Sequence, residues 1–258
     1  MNVKYINKCM LVILSTSALF ITSIASAEDF EGILSWSKRV ELSTPVNGMV
    51  QKVFSKPGNI AAKGEVLVQL DPRIFKADLK FAKAKLKNAN ELNLEAKREL
   101  DRQTDMYDRT MLSEHDLQLA KNNLTTAHSG YRQAEASLTK AKLNLEYSAI
   151  RAPFNAIVIS TKAVEGQVVA SQITPPVLVI VAEASRMIAK FYIASNKIND
   201  LVVNQGVKID VANQIYQGKI LTISLEPDKL KKDYYAVDVI FDTKGKVLRA
   251  GQKATVSL

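Results

Sequence analysis

Between residues 72 and 145 the apolar side chains recur every seven positions. Leu79, Leu86, Asn93, Leu100 and Tyr107 form one ladder, and Ala82, Ala89, Ala96 and Gln103 follow three residues behind it. A second ladder runs through Leu117, Leu124, Tyr131, Leu138 and Leu145, followed in the same way by Ala120, Ala127, Ala134 and Ala141. Sustained spacing of this kind marks a seam between two helices, and alternation of large and small residues lets the helices approach closely. The remaining positions are rich in Ala, Lys, Glu, Asn and Gln, and Gly130 is the single glycine of the stretch. That composition favours helix throughout. The ladders break only over residues 110–113, too short a connection for anything but an antiparallel return. Asp71 and Pro72 read as a cap and first helical position. Ser113 with Asp116 resembles a capping box for the second helix. Each arm has roughly 35 residues, or on the order of 50 Å at 1.5 Å per residue.

On either side of this stretch the pattern changes to short β-rich runs broken by Gly and Pro, which predict strands and tight turns. The two flanks resemble each other. At an offset of 108, Pro45 meets Pro153, Asn47 meets Asn155, Val50 meets Val158 and Gly58 meets Gly166. Two such copies predict a small pseudo-symmetric β-sandwich with the helices inserted into it. After residue 187 the chain reads as strands over 188–193, 207–211, 218–224, 235–241 and 254–258, with a short helix over 196–203. The fold class expected is α+β and elongated.

The first residues have a different character. Lys4 and Lys8 precede an apolar run over 11–20, and Ala25-Ser26-Ala27 gives the small-x-small pattern of a cleavage site. The run is interrupted by Ser and Thr and is short for a spanning helix. It predicts a cleaved export signal over residues 1–27, with a retained membrane anchor as the alternative. The sole cysteine, Cys9, lies inside that segment. A mature chain beginning near Glu28 would therefore hold no disulfide, thiol nucleophile or thiolate metal site.

The formal charge is +9, or +7 once Lys4 and Lys8 are set aside. In an exported protein such a charge points to solubility and contact with acidic surfaces, with no nucleic-acid partner. His115 and His128 are too far apart on one helix for paired metal ligation. Met49, Met106, Met111 and Met187 are scattered, and no phosphate-binding Gly loop is present. No catalytic constellation emerges, so the expectation is a non-enzymatic protein without metal or cofactor.

Leu145-Glu146-Tyr147-Ser148-Ala149-Ile150-Arg151-Ala152-Pro153-Phe154-Asn155-Ala156-Ile157-Val158 resembles the Tyr-Thr-x-Ile-x-Ala-Pro-x-Asp-Gly-x-Val segment of the periplasmic adaptor, or membrane fusion protein, family, which includes HlyD-like proteins. Asn155 and Ala156 depart from its Asp-Gly turn. The resemblance implies a split biotinyl/lipoyl-like domain over 41–71 and 147–181, an α-helical coiled-coil hairpin over 72–146, and a β-barrel domain over 28–40 and 182–258. It implies an adaptor of a tripartite efflux or secretion system in the periplasm. Such an adaptor links an inner-membrane transporter, of the resistance-nodulation-division (RND) class for a chain with a cleaved signal, to an outer-membrane TolC-type channel. Homo-oligomeric packing into a ring is part of that picture. Ala250-Gly251-Gln252 resembles the turn before the family's last barrel strand, and the sequence reads as ending without the membrane-proximal domain of many members.

Adaptors that engage such a channel carry Arg-x3-Leu-x6-Ser at the hairpin tip. Arg102, Met106 and Ser113 keep the spacing, with Met106 in place of Leu, a volume-conserving change. Arg102 falls on the outside of the seam, where a guanidinium can donate to carbonyls or carboxylates of a partner helix. Two other classes fit the chain less closely. A lipoyl or biotinyl carrier would display a modifiable Lys at the turn that the hairpin replaces. A free-standing envelope coiled-coil interaction protein would need no transporter. Within the adaptor class, an ABC or type I secretion exporter is the alternative partner.

Overall fold

The computed structural model describes residues 28–170, 175–229 and 231–258. The export segment expected over residues 1–27 lies outside the described residues. Strands β1 (Asp29–Trp36) and β2 (Arg39–Leu42) open the chain. Strands β3 (Gly48–Val53), β4 (Ile60–Ala61) and β5 (Val66–Leu70) lead into helix α1 (Arg73–Asp108). Helix α2 (Glu114–Tyr147) returns to β6 (Ala149–Arg151), β7 (Ala156–Thr161), β8 (Val168–Val169) and β9 (Val179–Glu183). The last strands are β10 (Arg186–Ala194), β11 (Gly206–Val211), β12 (Gln214–Pro227), β13 (Tyr234–Asp242) and β14 (Lys253–Ser257).

The 108-residue repeat is realised as hydrogen bonding. Gly58 N donates to Val158 O and Gly166 N donates to Val50 O, both at 2.8 Å. The reverse bonds match as well: Val158 N to Asn59 O at 2.9 Å, and Val50 N to Gln167 O at 2.8 Å. Gly58 and Gly166 take φ of 87° and 85°, left-handed values at which a side chain would be strained. The two four-stranded sheets carry the same relation, β6-β5-β3-β8 in one and β2-β9-β7-β4 in the other. Each sheet thus takes both of its outer strands from the opposite half. Their shared core contains Val50, Leu67, Leu70, Ile150, Val158, Leu178 and Val181.

Under this pseudo-dyad, α1 leaves from the end of β5 as β10 leaves from the end of β9. The helices and the barrel therefore grow from equivalent ends of the two sheets. The barrel closes in the order β1-β10-β13-β12-β11-β14, all antiparallel. Its strands alternate buried and exposed residues, as one-sided strands must. Leu34, Phe191, Ile209, Tyr216, Val239 and Val256 fill the interior. Closure leaves no unpaired edge.

The structure redraws two sequence expectations. The barrel segment expected over residues 28–40 ends at Trp36: β1 pairs with β10 and β14 in the barrel, whereas beyond Ser37 and Lys38 Val40 in β2 pairs with Val181 in the sandwich. The polar Ser37-Lys38 pair is where the chain passes between domains. The helix expected over 196–203 is a single 3-10 turn, Ile198–Asp200; Ile198 and Leu201 pack against the barrel core, whereas Val202 and Val203 stay exposed and do not extend that contact.

Candidate functional site

The ladder residues are those that the helical pair withdraws from solvent. Ala82, Leu117, Ala120, Ala134 and Ala141 are buried. The others are half-buried, except Tyr107, which is exposed although the heptad assigns it to the seam. Tyr107 lies in the last turn of α1, beyond which there is no further turn to cover it. Asn93 interrupts the apolar seam with a buried Oδ1 that has no hydrogen-bond partner.

The base of the pair is fixed into the sandwich. Phe75, in the first turn of α1, belongs to the sandwich core. Pro72 already has helical angles, and Asp71 Oδ1 accepts from Arg73 N at 3.1 Å. Arg73 also holds the Asp71 carboxyl down at about 2, first through its guanidinium and then through its backbone N–H. On the returning strand, Leu70 N donates to Ser148 O at 2.8 Å and Thr44 Oγ1 donates to Tyr147 O at 2.8 Å. Gln69 Nε2 adds a bond to Ser148 O at 3.1 Å.

At the far end, α1 stops in a Schellman arrangement. Met111 N donates to Met106 O and Thr110 N donates to Tyr107 O, each at 2.9 Å. Thr110 occupies the left-handed position, φ 56°, where glycine is usual. Ser113 then caps α2. Its Oγ accepts from Asp116 N at 3.2 Å and donates to Asp116 Oδ2 at 2.6 Å. The carboxylate therefore pairs with the Ser113 hydroxyl, where a capping box would use the Ser113 backbone N–H.

Arg102, Met106 and Ser113 all fall within this distal region. Arg102 is 62% exposed and paired with Glu99, a surface ion pair one turn back that is easily exchanged for another partner. Met106 lies one turn further on, half-buried, and its carbonyl is held by the turn. Ser113 is exposed but its hydroxyl is engaged in the cap. Met111, in the sequence only one of the scattered methionines, is 69% exposed at the apex. Its signal was an apolar residue within the break, with no ladder position to occupy.

Both histidines are exposed on α2. Among the described residues, no group of three His, Cys, Asp or Glu is placed to hold a metal ion, and no helix is long and apolar enough to cross a membrane.

The passage between sandwich and barrel is clamped. Ser37 Oγ lies 2.7 Å from Glu183 Oε2 and 2.8 Å from Arg186 O, and Arg186 Nη2 lies 2.7 Å from Glu183 Oε1. Burial pushes the Glu183 carboxyl up, but the bonds from Arg186 and Ser37 outweigh it and hold the group below the usual carboxylate range.

A family profile described as the CzcB-like, barrel-sandwich hybrid domain matches residues 38–181. The macrolide export protein MacA of Yersinia pestis is 24% identical over 246 residues, covering 88% of this chain and 66% of that protein. The antibiotic efflux pump periplasmic linker protein ArpA of Pseudomonas putida is 29% identical over 131 residues, covering 51% of this chain and 32% of that protein. The chain thus spans less than two thirds of the length of these relatives. The crystal structure of MacA from Actinobacillus actinomycetemcomitans superposes with a TM-score of 0.68 at 25% identity, over 90% of this chain and 78% of that one.

Proposed function

This chain belongs to the CzcB-like barrel-sandwich hybrid family of membrane fusion proteins, which are adaptors and not enzymes, and from that premise we propose that it is a periplasmic adaptor subunit of a tripartite efflux system. In this reading α1 and α2 form a coiled-coil hairpin, the two sheets form a split lipoyl-like domain, and the barrel is a third domain. The hairpin tip engages an outer-membrane TolC-type channel through Arg102, Met106 and Ser113. The opposite end docks on an inner-membrane transporter of the RND class, which supplies the energy. The adaptor holds the channel open and needs no cofactor.

The observation that carries this reading is the distribution of burial along the helical pair. Its base is bonded into the sandwich, its seam is withdrawn, and its distal end presents an exposed cation on a rigid support. A helix pair that buries only a seam leaves its remaining faces for partners. Side-by-side packing of copies into a ring is supported by an apolar strip at the base. Met49 and Ile74 line one groove there, Val168 pairs with Met49, and Phe81 follows Ile74 by seven residues on α1. All four are exposed, and contiguous apolar patches of that kind mark interaction surfaces.

Arg102→Asp tests the tip. Reversing an exposed charge leaves helicity and unfolding unchanged but abolishes channel capture and efflux in a strain lacking other adaptors. Wild-type transport by that variant would overturn the assignment of Arg102.

A further inference from the structure

Between the sandwich and the barrel the clamp leaves a cavity of about 200 Å³. Its walls come from both domains. Ile60 and Ile157 belong to the sandwich, Met187 and Val247 to the barrel, and Trp36 ends barrel strand β1 just before the link. The loop carrying Val247 is pinned to the link, because Thr243 N donates to Ser185 O at 2.9 Å. Ile60 and Val247 remain 60% and 55% exposed, an unfavourable disposition for aliphatic side chains that line one space. An apolar void of about 150 Å³ is enough to take up a benzene-sized molecule, so this one accommodates a small ligand.

Of the polar residues lining the cavity, Ser185, Thr243 and Lys246, only Lys246 is charged. Lys246 lines it, and its Nζ is bonded to the amide oxygen of Gln214. Gln214 lies outside the lining, and its neutral amide leaves the ammonium charge uncancelled. Apolar walls with one charged group are the usual composition of a small-molecule site: the walls supply affinity and the charge fixes orientation.

We propose that this junction binds a small amphiphilic carboxylate, its apolar body against Trp36 and its headgroup toward Lys246. The occupant touches both domains, so binding restrains the barrel relative to the sandwich. Neither the efflux role nor the hairpin tip requires this site.

Trp36 is the only tryptophan of the chain, so its emission reports on the cavity alone. The intact protein is titrated with octanoate, octanol and octylamine, followed by Trp36 emission and by calorimetry. Octanoate is expected to shift the emission to the blue saturably, octanol to bind at least ten-fold more weakly, and octylamine not to bind. Lys246→Glu is expected to weaken octanoate at least ten-fold with the unfolding midpoint unchanged, and Val247→Asp to abolish binding of octanoate and octanol. Absence of saturable octanoate binding overturns the proposal. So does octanoate binding that survives Lys246→Glu, or equal affinity for all three probes.

Discussion

The barrel and the helical pair bury their side chains in different ways. The barrel strands place every second residue in a closed interior, where Phe191, Ile209, Val237 and Val239 are entirely withdrawn from solvent. The two helices contain 36 and 34 residues, yet their buried positions are Phe75, Ala82, Leu117, Ala120, Ala134 and Ala141. Four of those six are alanines. The barrel is thus complete in itself, with each strand paired on both sides. The helical pair is held by its bonded base and a narrow seam, and most of its surface is unspent. A rod of this kind reaches far from its domain without requiring a core of its own, and its exposed length is what a partner can use.

Truncation gives the largest separation between the two regions. Phe191→Ala empties part of the barrel core and is expected to cost about 3–5 kcal/mol. Leu100→Ala, on the half-buried seam, is expected to cost about 1 kcal/mol. Urea unfolding of the two variants measures both, and equal losses would erase the contrast. Filling the seam should have the next largest effect. Ala134 is fully buried, and Ala134→Leu forces the helices apart at a cost of about 1–3 kcal/mol. The loss should appear in the helical circular-dichroism melt and leave the Trp36 emission unaltered.

Within the sandwich the comparison concerns the two halves. Nothing surrounds a Cβ added at Gly58 or Gly166, so only backbone strain distinguishes alanine from glycine there. Gly58→Ala and Gly166→Ala should each cost about 1–2 kcal/mol, and they should cost the same. Unequal midpoints in thermal unfolding would show that the pseudo-dyad is geometric but not energetic.

The smallest effect concerns the base of α1. Folding lowers the Asp71 carboxyl from 3.8 to about 2. Its contribution is therefore complete above about pH 4 and is lost as the pH falls through about 2, because the folded state must then give up the charge that Arg73 favours. A titration of helicity should show this acid-side loss, and Asp71→Asn should remove it.

Several of these features were legible in the residues. The seven-residue ladders placed both helices and their turn, because a seam imposes its period on a long stretch of sequence. The 108-residue offset announced the two halves, because equivalent turns demand equivalent glycines. Arg102, Met106 and Ser113 could be singled out only through a family resemblance, since each is an ordinary helix-surface or capping residue by itself. The break at Ser37 was not legible: β-rich sequence on both sides reads alike, and only pairing assigns Trp36 to one sheet and Val40 to another. Tyr107 read as a seam residue because periodicity carries no information about where a neighbouring helix ends.

By itself, then, the sequence determined local matters: helix against strand, the reversal between the helices, the caps, and the repeat. These depend on spacing and backbone preference within a few turns of chain. The tertiary structure alone decided which strands closed the barrel, how each sheet took its two outer strands from the opposite half, and that Trp36, Ile60, Val247 and Lys246 meet at one junction. Those outcomes depend on pairing between residues as far as 228 positions apart, as Asp29 is from Ser257, and no local pattern encodes such a pairing, because the free energy that selects it arises only when distant surfaces come together.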